Sequence, residues 1–165
     1  MTTVYRLLRK PFAGTPFDGE GSYRYGGRWS APGTRIAYTS EHLSLAMIEY
    51  LVHLDPSQLP IDLMLARARV PDNLPKLRLR ADELPSEWQD YPAPGSLALI
   101  GHKFVRNGEA AILILPSAVA PTENNWLLNP QHPHFHEIKR EDAEPFHYNP
   151  RLLRPKAGEA SRPQK

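Results

Sequence analysis

Short runs of apolar residues, some alternating with polar ones and some continuous, predict a set of strands along this chain. Alternation predicts strands over residues 3–9 and 61–70. A shorter stretch over 35–38 predicts another strand. The continuous apolar run over 110–115 is typical of a central strand that is covered on both faces.

Two segments carry the apolar spacing of helices. The first is predicted to begin near Thr39 or Ser40, either of which suits an N-cap, and to end at about Leu54. The second is predicted over 96–107, with Ser96 as its cap and Gly108 just past its end. The first helix is apolar nearly all round, so we expect it to be buried.

Stretches rich in proline, glycine and polar residues separate these elements. The predicted loops cover residues 11–21, 71–94 and 121–133. Strands that close the sheet are expected over 135–139 and 146–148. Strands and helices follow one another in a mixed order without an internal repeat. This pattern predicts one α+β domain, with a mixed sheet and flanking helices, rather than a doubly wound sheet.

The composition fits one folded domain and limits the cellular compartments in which we expect the protein. Of the 165 residues, 41% are hydrophobic and 23% are charged, as in globular proteins. The chain has no cysteine, which excludes disulfides and thiolate metal sites and favours a reducing cytoplasm. No apolar run approaches the roughly 20 residues that a membrane-spanning helix needs, and the first residues lack the apolar region of a signal peptide. We therefore expect a cytoplasmic protein without a membrane contact.

The net charge of +2 is unevenly distributed. Residues 151–165 hold five of the 20 basic residues and one of the 18 acidic residues, so the body of the chain is slightly acidic. Nucleic-acid binding normally needs a basic face on the folded domain itself. The distribution therefore argues against a direct nucleic-acid partner.

Two familiar site motifs are incomplete. Gly19-Glu20-Gly21 begins like a dinucleotide-binding fingerprint, but Arg24 stands where the third glycine belongs. Histidines at three alternate positions raise the possibility of a metal site, but a proline interrupts them and no nearby acid completes an evident ligand set. These histidines are His132, His134 and His136. We expect no metal.

Arg28 and Glu49 are the strongest candidates for a site. Arg28 follows two glycines, which let a backbone approach a ligand closely, and a guanidinium suits phosphate. The alternative is a surface arginine stacked on a neighbouring aromatic ring. Glu49 interrupts the apolar helix, and an unpaired carboxylate there would be costly to bury. It therefore either faces a cleft or forms a structural salt bridge, for example with Arg6 or Arg35.

Tyr38 and Ser117 are weaker candidates. Tyr38 ends a predicted strand and could stack on a flat ring or hydrogen-bond a carboxylate, although its position alone favours a core tyrosine with a satisfied hydroxyl. Ser117 follows the buried run over 110–115, a common place for a site residue, but it could also cap a turn. No histidine and acid are spaced to form a hydrolase triad with it.

At these residues the chain resembles the RES domain family, which is named for an arginine, a glutamate and a serine. The resemblance extends to about Leu152, so we expect a RES domain over 1–154 and a flexible basic tail over 155–165. The matching segments are Gly26-Gly27-Arg28-Trp29, Tyr38-Thr39-Ser40, Leu45-Ala46-Met47-Ile48-Glu49, Leu115-Pro116-Ser117-Ala118, Asn125-Trp126-Leu127-Leu128-Asn129-Pro130 and Phe146-His147-Tyr148-Asn149-Pro150-Arg151-Leu152.

The resemblance implies a fold similar to that of ADP-ribosyltransferase toxins, and a toxin that consumes NAD+ by hydrolysis or phosphorolysis. It also implies an antitoxin partner with a helix-turn-helix (Xre-like) region, and a homodimer. Carried over by position, Glu49 would stabilise charge on the sugar, Arg28 would hold the pyrophosphate, and Tyr38 would place the nicotinamide. Ser117 would contact the ribose or amide, and Asn129 is a further pocket residue.

Three other hypotheses remain open at this point. The same pocket could transfer ADP-ribose to a protein or nucleotide. The chain could instead be a non-catalytic nucleotide-binding module in which Glu49 is merely paired in the core. A toxin that acts on nucleic acid through the basic tail is disfavoured by the acidic body.

Overall fold

One mixed sheet of eight strands organises the computed structural model, which describes residues 1–55 and 60–152. The strands are β1 (Thr2–Arg9), β2 (Ala37–Ser40), β3 (Leu63–Val70), β4 (Lys76–Arg78), β5 (Ile112–Pro116), β6 (Asn124–Leu128), β7 (Lys139–Arg140) and β8 (Glu144–Pro145). Their order is β4-β5-β6-β2-β1-β3-β7, and β8 also pairs with β3. All pairs are antiparallel except β4 with β5.

Within the described residues, three α-helices and several short 3-10 turns connect the strands. The helices are α1 (Glu20–Tyr25), α2 (Leu43–Leu51) and α3 (Gly95–Asn107). The 3-10 turns are Lys10–Phe12, Ala81–Glu83, Pro133–Glu137 and Pro150–Leu152. Strands and helices are mixed along the chain, so the α+β expectation is confirmed. Within the described ranges, no helix combines the length and apolar character needed to cross a bilayer.

The strands with the clearest apolar patterns are the ones that the sequence predicts well. β1 pairs along its whole length with β3, from Thr2 opposite Val70 to Arg9 opposite Leu63. Every residue of β5 is buried, which confirms the expected central strand. The expected tail over 155–165 lies outside the described residues, as does the end of the expected domain beyond residue 152.

The predicted N-cap residues of both helices were wrong, by two or three residues. Thr39 and Ser40 belong to β2, where their hydroxyls donate to Trp126 and Asn125 across the sheet, so they are not free to cap α2. α2 instead begins after His42, without a side-chain cap. α3 begins at Gly95, so the predicted cap residue lies inside the helix.

The predicted polar loop over 121–133 was wrong in its central part, because β6 lies there. This strand pairs with both β2 and β5 and occupies the middle of the sheet. Its first two residues are asparagines whose side chains hydrogen-bond carboxylates from α2 and from the segment before it. Those partners are distant in sequence, so no local pattern reveals the strand. The short elements α1 and β4 also lie in predicted loops, or beside one.

The closing strands were predicted in the wrong places. Pro133 and a hydrogen bond from the His134 backbone N–H to the His132 ring favour a 3-10 turn where the strand over 135–139 was expected. The second strand is Glu144–Pro145, and the chain leaves the sheet after a last hydrogen bond from the Phe146 N–H to the Leu63 carbonyl oxygen at 2.9 Å. There the Tyr148 hydroxyl donates to the Met47 carbonyl oxygen of α2 at 2.6 Å.

α3 packs against the turn over residues 26–30, the glycine turn, which carries Arg28. Leu97 and Phe104 of this helix are buried in a cluster with Trp29. At Gly101 the helix passes so close to the turn that a Cβ atom would stand 1.8 Å from the Trp29 carbonyl oxygen. Any side chain at position 101 would therefore push the turn, and Arg28 with it, out of place.

Candidate active site

A cavity of about 760 Å³ opens between the glycine turn, β1, β2 and α2. This volume is typical of pockets for small ligands. Three of the residues singled out from the sequence line it, namely Arg28, Tyr38 and Glu49. The fold therefore brings together an arginine, a tyrosine and a carboxylate that lie on three separate elements.

Glu49 is held by two neutral hydrogen-bond donors. The Ser117 hydroxyl donates to Oε1 of Glu49 at 2.7 Å, and the Asn125 amide donates to the same oxygen. The salt bridge considered from the sequence is absent from the described residues. Arg35 instead pairs with Glu20, at 2.5 Å. Within residues 1–55 and 60–152, the Glu49 carboxylate at the cavity wall therefore has no cationic partner.

Ser117 lies behind Glu49 rather than on the cavity surface. It is fully buried, and its oxygen accepts hydrogen bonds from the backbone N–H groups of Val119 (3.1 Å) and Ala120 (3.0 Å). Because the oxygen accepts both, the single hydroxyl proton points to Glu49. The serine is therefore a turn cap and a donor to Glu49 at once.

Tyr38 braces the glycine turn from within. Its hydroxyl accepts the Trp29 backbone N–H at 3.1 Å and lies 2.8 Å from the Ser30 hydroxyl. Burial raises the pKa of Tyr38 to about 12, so the hydroxyl stays neutral. At Gly27 a Cβ atom would stand 2.8 Å from that hydroxyl, so this glycine makes room for the tyrosine ring.

Arg28 is held by backbone carbonyls instead of carboxylates. Its Nη1 donates to the carbonyl oxygens of Trp88 (2.8 Å) and Asp90 (3.0 Å). These residues precede Tyr91, which is 89% exposed and lines the cavity mouth. The arginine therefore fixes the rim of the cavity with one nitrogen, and its positive charge is not neutralised by these neutral partners.

Arg6 lines the cavity, whereas its sequence position suggested only a possible salt bridge with Glu49. β1 and β2 pair only at Tyr5 and Ser40, and Arg6 Nη1 donates to the Tyr38 carbonyl oxygen at 3.3 Å beside that point. Its Nε is buried without a hydrogen-bond partner among the described residues. Burial lowers the pKa of Arg6, against the opposing effect of Asp18. The sequence signal that could have identified Arg6 as a cavity residue is its charge within an otherwise largely apolar strand.

A sequence model of the RES domain family matches residues 3–149. The chain belongs to the RES domain family. This membership confirms the resemblance drawn from the motifs. It covers nearly the whole described length of the chain, including every residue discussed at the cavity.

Known toxins and a solved structure resemble this chain along most of its length. "Toxin Res" of Yersinia enterocolitica is 33% identical over 151 residues, which cover 90% of this chain and 98% of the relative. "Prs ADP-ribosylating toxin" of a Sphingobium species is 31% identical over 157 residues, which cover 93% and 98%. A chain in the crystal structure of the M. tuberculosis MbcT–MbcA toxin–antitoxin complex matches with a TM-score of 0.72 at 19% identity. That match covers 92% of this chain and 86% of the other, and it supports the fold.

Asn129, the last residue implied by the RES resemblance, does not line the cavity. It is 1% exposed, and its side-chain oxygen accepts the backbone N–H of Gln131 at 3.0 Å. Its own N–H donates to the Ala111 carbonyl oxygen at 2.9 Å. In this RES domain it orders the turn after β6.

The three histidines of this RES domain are engaged with nearby groups. The rings of His132 and His134 lie 5.5 Å apart, and His134 pairs with Glu137 at 2.6 Å. His136 lies 2.7 Å from the Pro133 carbonyl oxygen. No cluster of three or more histidine or acidic side chains in residues 1–55 and 60–152 is arranged to hold a metal ion.

Proposed function

We propose that the protein is the toxin of a toxin–antitoxin pair and that it cleaves the nicotinamide–ribose bond of NAD+. The observation that carries this proposal is the Glu49 carboxylate, which stands at a cavity wall with neutral donors on Oε1 and no paired cation in the described part of the chain. The names of its relatives, "Toxin Res" and "Prs ADP-ribosylating toxin", support the toxin assignment.

The chemistry requires negative charge near the ribose. When the bond breaks, both electrons pass to the nicotinamide nitrogen, nicotinamide leaves neutral, and positive charge develops on the sugar. The Glu49 carboxylate stabilises that charge as it forms. Water then adds to the sugar carbon and releases a proton, which gives ADP-ribose. Inorganic phosphate adding in place of water gives the phosphorylated sugar instead.

The two arginines suit the opposite end of the substrate. Among the described residues, Arg28 is bound by two carbonyl oxygens and by no carboxylate, and Arg6 has a buried N–H group without a partner. Both therefore suit the pyrophosphate of NAD+. Holding the dinucleotide at this end fixes the reacting bond beside Glu49. Tyr38 supports this arrangement by holding the turn that carries Arg28, and we assign Ser117 to Glu49 rather than to the ribose.

Transfer of ADP-ribose to a protein or nucleotide is the second candidate. The observation that favours it is the name of the Sphingobium relative, which describes an ADP-ribosylating toxin. The same bond breaks and the same carboxylate assists, so only the group that attacks the sugar differs.

An antitoxin with a helix-turn-helix (Xre-like) region is the proposed partner. A toxin–antitoxin complex among proteins of the same fold supports a protein partner of this kind. The homodimer and the cytoplasmic location expected from the sequence stay predictions. Sedimentation of the purified protein tests the first, and fractionation of cells that express it tests the second.

Product analysis tests the proposed reaction. The purified protein is mixed with NAD+, with and without inorganic phosphate, and with a lysate as a source of acceptors. Free nicotinamide is expected in each case. ADP-ribose, its phosphorylated form or a modified acceptor then identifies the attacking group. Binding of NAD+ without cleavage would overturn the proposed reaction and would favour the hypothesis of a non-catalytic nucleotide-binding module.

A further inference from the structure

Asn125 reaches Glu49 from the strand that the sequence did not predict. We propose that Asn125 is a positioning residue that fixes the Glu49 carboxylate in its reactive orientation. The consequence for catalysis rests on the proposed NAD+ reaction. Asn125 lies on β6, lines the cavity, and donates through Nδ2 to Oε1 of Glu49.

Hydrogen-bonding rules fix which way the Asn125 amide points. An ionised carboxylate only accepts hydrogen bonds, so the NH2 group of Asn125 must face Glu49. The amide oxygen then faces Ser40, whose hydroxyl donates to it at 2.9 Å. Ser40 and Asn125 also lie opposite each other in the paired strands β2 and β6. The amide is therefore held at both ends.

The two donors engage the same oxygen of Glu49. Ser117 and Asn125 both donate to Oε1, while Oε2 makes no hydrogen bond within the described part of the chain. Because the donors converge from β6 and from the turn after β5, they set both the position and the rotation of the carboxylate. Oε2 is thereby left as the oxygen available to a developing positive charge. Without Asn125, a single hydroxyl would hold the side chain and the carboxylate could rotate about that contact.

The neighbouring asparagine supplies a matched control. Asn124 donates to Glu41 through both its backbone N–H (2.7 Å) and its side chain (3.0 Å). Neither Asn124 nor Glu41 lines the cavity. The chain therefore carries two adjacent asparagine–carboxylate contacts, and only one of them involves the proposed catalytic acid.

The test compares kcat and KM for NAD+ cleavage among substitutions at these positions. Asn125→Ala is expected to lower kcat by about 10- to 100-fold, because the Glu49 carboxylate loses its fixed orientation. KM should change little, because the groups that bind the substrate remain in place. Asn125→Asp keeps the shape but removes the donor, so it should lose at least as much. Ser40→Ala should lose about 2- to 10-fold in kcat. The double substitution of Ser40 and Asn125 by alanine should lower kcat no further than Asn125→Ala alone. Asn124→Ala should keep the kcat of the unmodified protein.

Two outcomes of the kinetic test would overturn the inference. An unchanged kcat in Asn125→Asp would show that the donor is not needed, and a loss confined to KM would make Asn125 a substrate contact instead. If Asn125→Ala fails to fold, Asn125→Asp and Ser40→Ala still decide the question.

Crystal structures decide the inference independently of turnover. In Asn125→Ala, the Glu49 carboxylate is expected to rotate or to occupy more than one orientation. A carboxylate that stays in place overturns the positioning role, even if NAD+ is consumed. If the unmodified protein consumes no NAD+, the proposed function fails, and this structural comparison still tests Asn125.

Discussion

Two clefts in the described part of the chain differ in how their principal charged residues are held. In the cavity, Glu49 is held by a hydroxyl and an amide, and Arg28 by two carbonyl oxygens. A second cleft, of about 450 Å³, is lined by Arg35 and Glu141 among others. Both of these side chains are neutralised by ion pairs, because Arg35 pairs with Glu20 at 2.5 Å and Glu141 pairs with Arg69 at 2.7 Å.

This difference is our reason for proposing the cavity, rather than the second cleft, as the functional site. A charge held by neutral dipoles keeps its orientation and remains available to an ionic ligand, whereas a charge in an ion pair must first lose its partner. The ion pairs at the second cleft are substantially exposed, and such pairs contribute little to stability. We therefore expect substitutions in the cavity to change catalysis, and substitutions at the second cleft to change very little.

Glu49→Gln should have the largest effect. Glutamine keeps the shape of the side chain, and its carbonyl oxygen can still accept from Ser117 and Asn125, but the negative charge is lost. We expect NAD+ cleavage to fall by about 10³-fold, the scale of losing one preorganised electrostatic group. Nicotinamide release measures the rate, and the circular dichroism spectrum should be unchanged. Turnover at the rate of the unmodified protein would refute the role of Glu49.

Arg28→Lys should have the next largest effect. Lysine keeps the positive charge but lacks the planar fork that can bind carbonyls and phosphate together. We expect KM for NAD+ to rise by about 10- to 100-fold, the value of a charged hydrogen bond. Arg35→Lys, at the second cleft, is the matched control and should leave KM unchanged. Equal effects of the two substitutions would remove the contrast between the clefts.

Much of the cavity was predictable because its main residues break local patterns. Glu49 is a carboxylate in a helix that is otherwise apolar, and Arg28 follows a pair of glycines. The strands β1, β3 and β5 were predictable for the opposite reason, because their residues follow a regular local pattern of alternating or continuous apolar positions.

What could not be predicted depends on partners that are distant in sequence. Asn125 and Ser117 lie 76 and 68 residues from Glu49, so only the folded sheet reveals that both donate to it. The same contacts explain why β6 was interpreted as a loop. Its first two residues are polar asparagines, and the carboxylates that they bind, Glu41 and Glu49, are distant in sequence. Arg6 was underestimated because its contact with the Tyr38 carbonyl oxygen depends on how β1 and β2 pair in the sheet and not on the sequence of either strand.

Tyr38→Phe should affect stability more than chemistry. Loss of the hydroxyl leaves the Trp29 backbone N–H without its acceptor, at a cost of about 1–3 kcal/mol in the free energy of unfolding. Urea denaturation measures this change, and unchanged stability would contradict the bracing role. Tyr148→Phe, at a tyrosine outside the cavity lining, is the comparison variant.

The pH dependence of stability should change in the same variant. Burial raises the pKa of Tyr38 from 10.0 to about 12, so the folded state binds the proton more tightly than the unfolded state. This contribution is complete below pH 10 and is lost as pH rises towards 12. The decline of stability over that interval should therefore be shallower in Tyr38→Phe. Burial also raises the pKa of Tyr148 to about 12, so part of the decline should remain.

Glu20→Gln should have the smallest effect. It removes the partner of Arg35 and of Arg24, but all three side chains are partly or largely exposed and screened by water. We expect the urea midpoint to move only slightly and the rate of NAD+ cleavage to stay the same. A large loss of activity would mean that the second cleft supports the cavity through α1 and the glycine turn that follows it. In that case a charge pair would matter to catalysis as much as a charge held by neutral donors, and the contrast between the clefts would no longer identify the site.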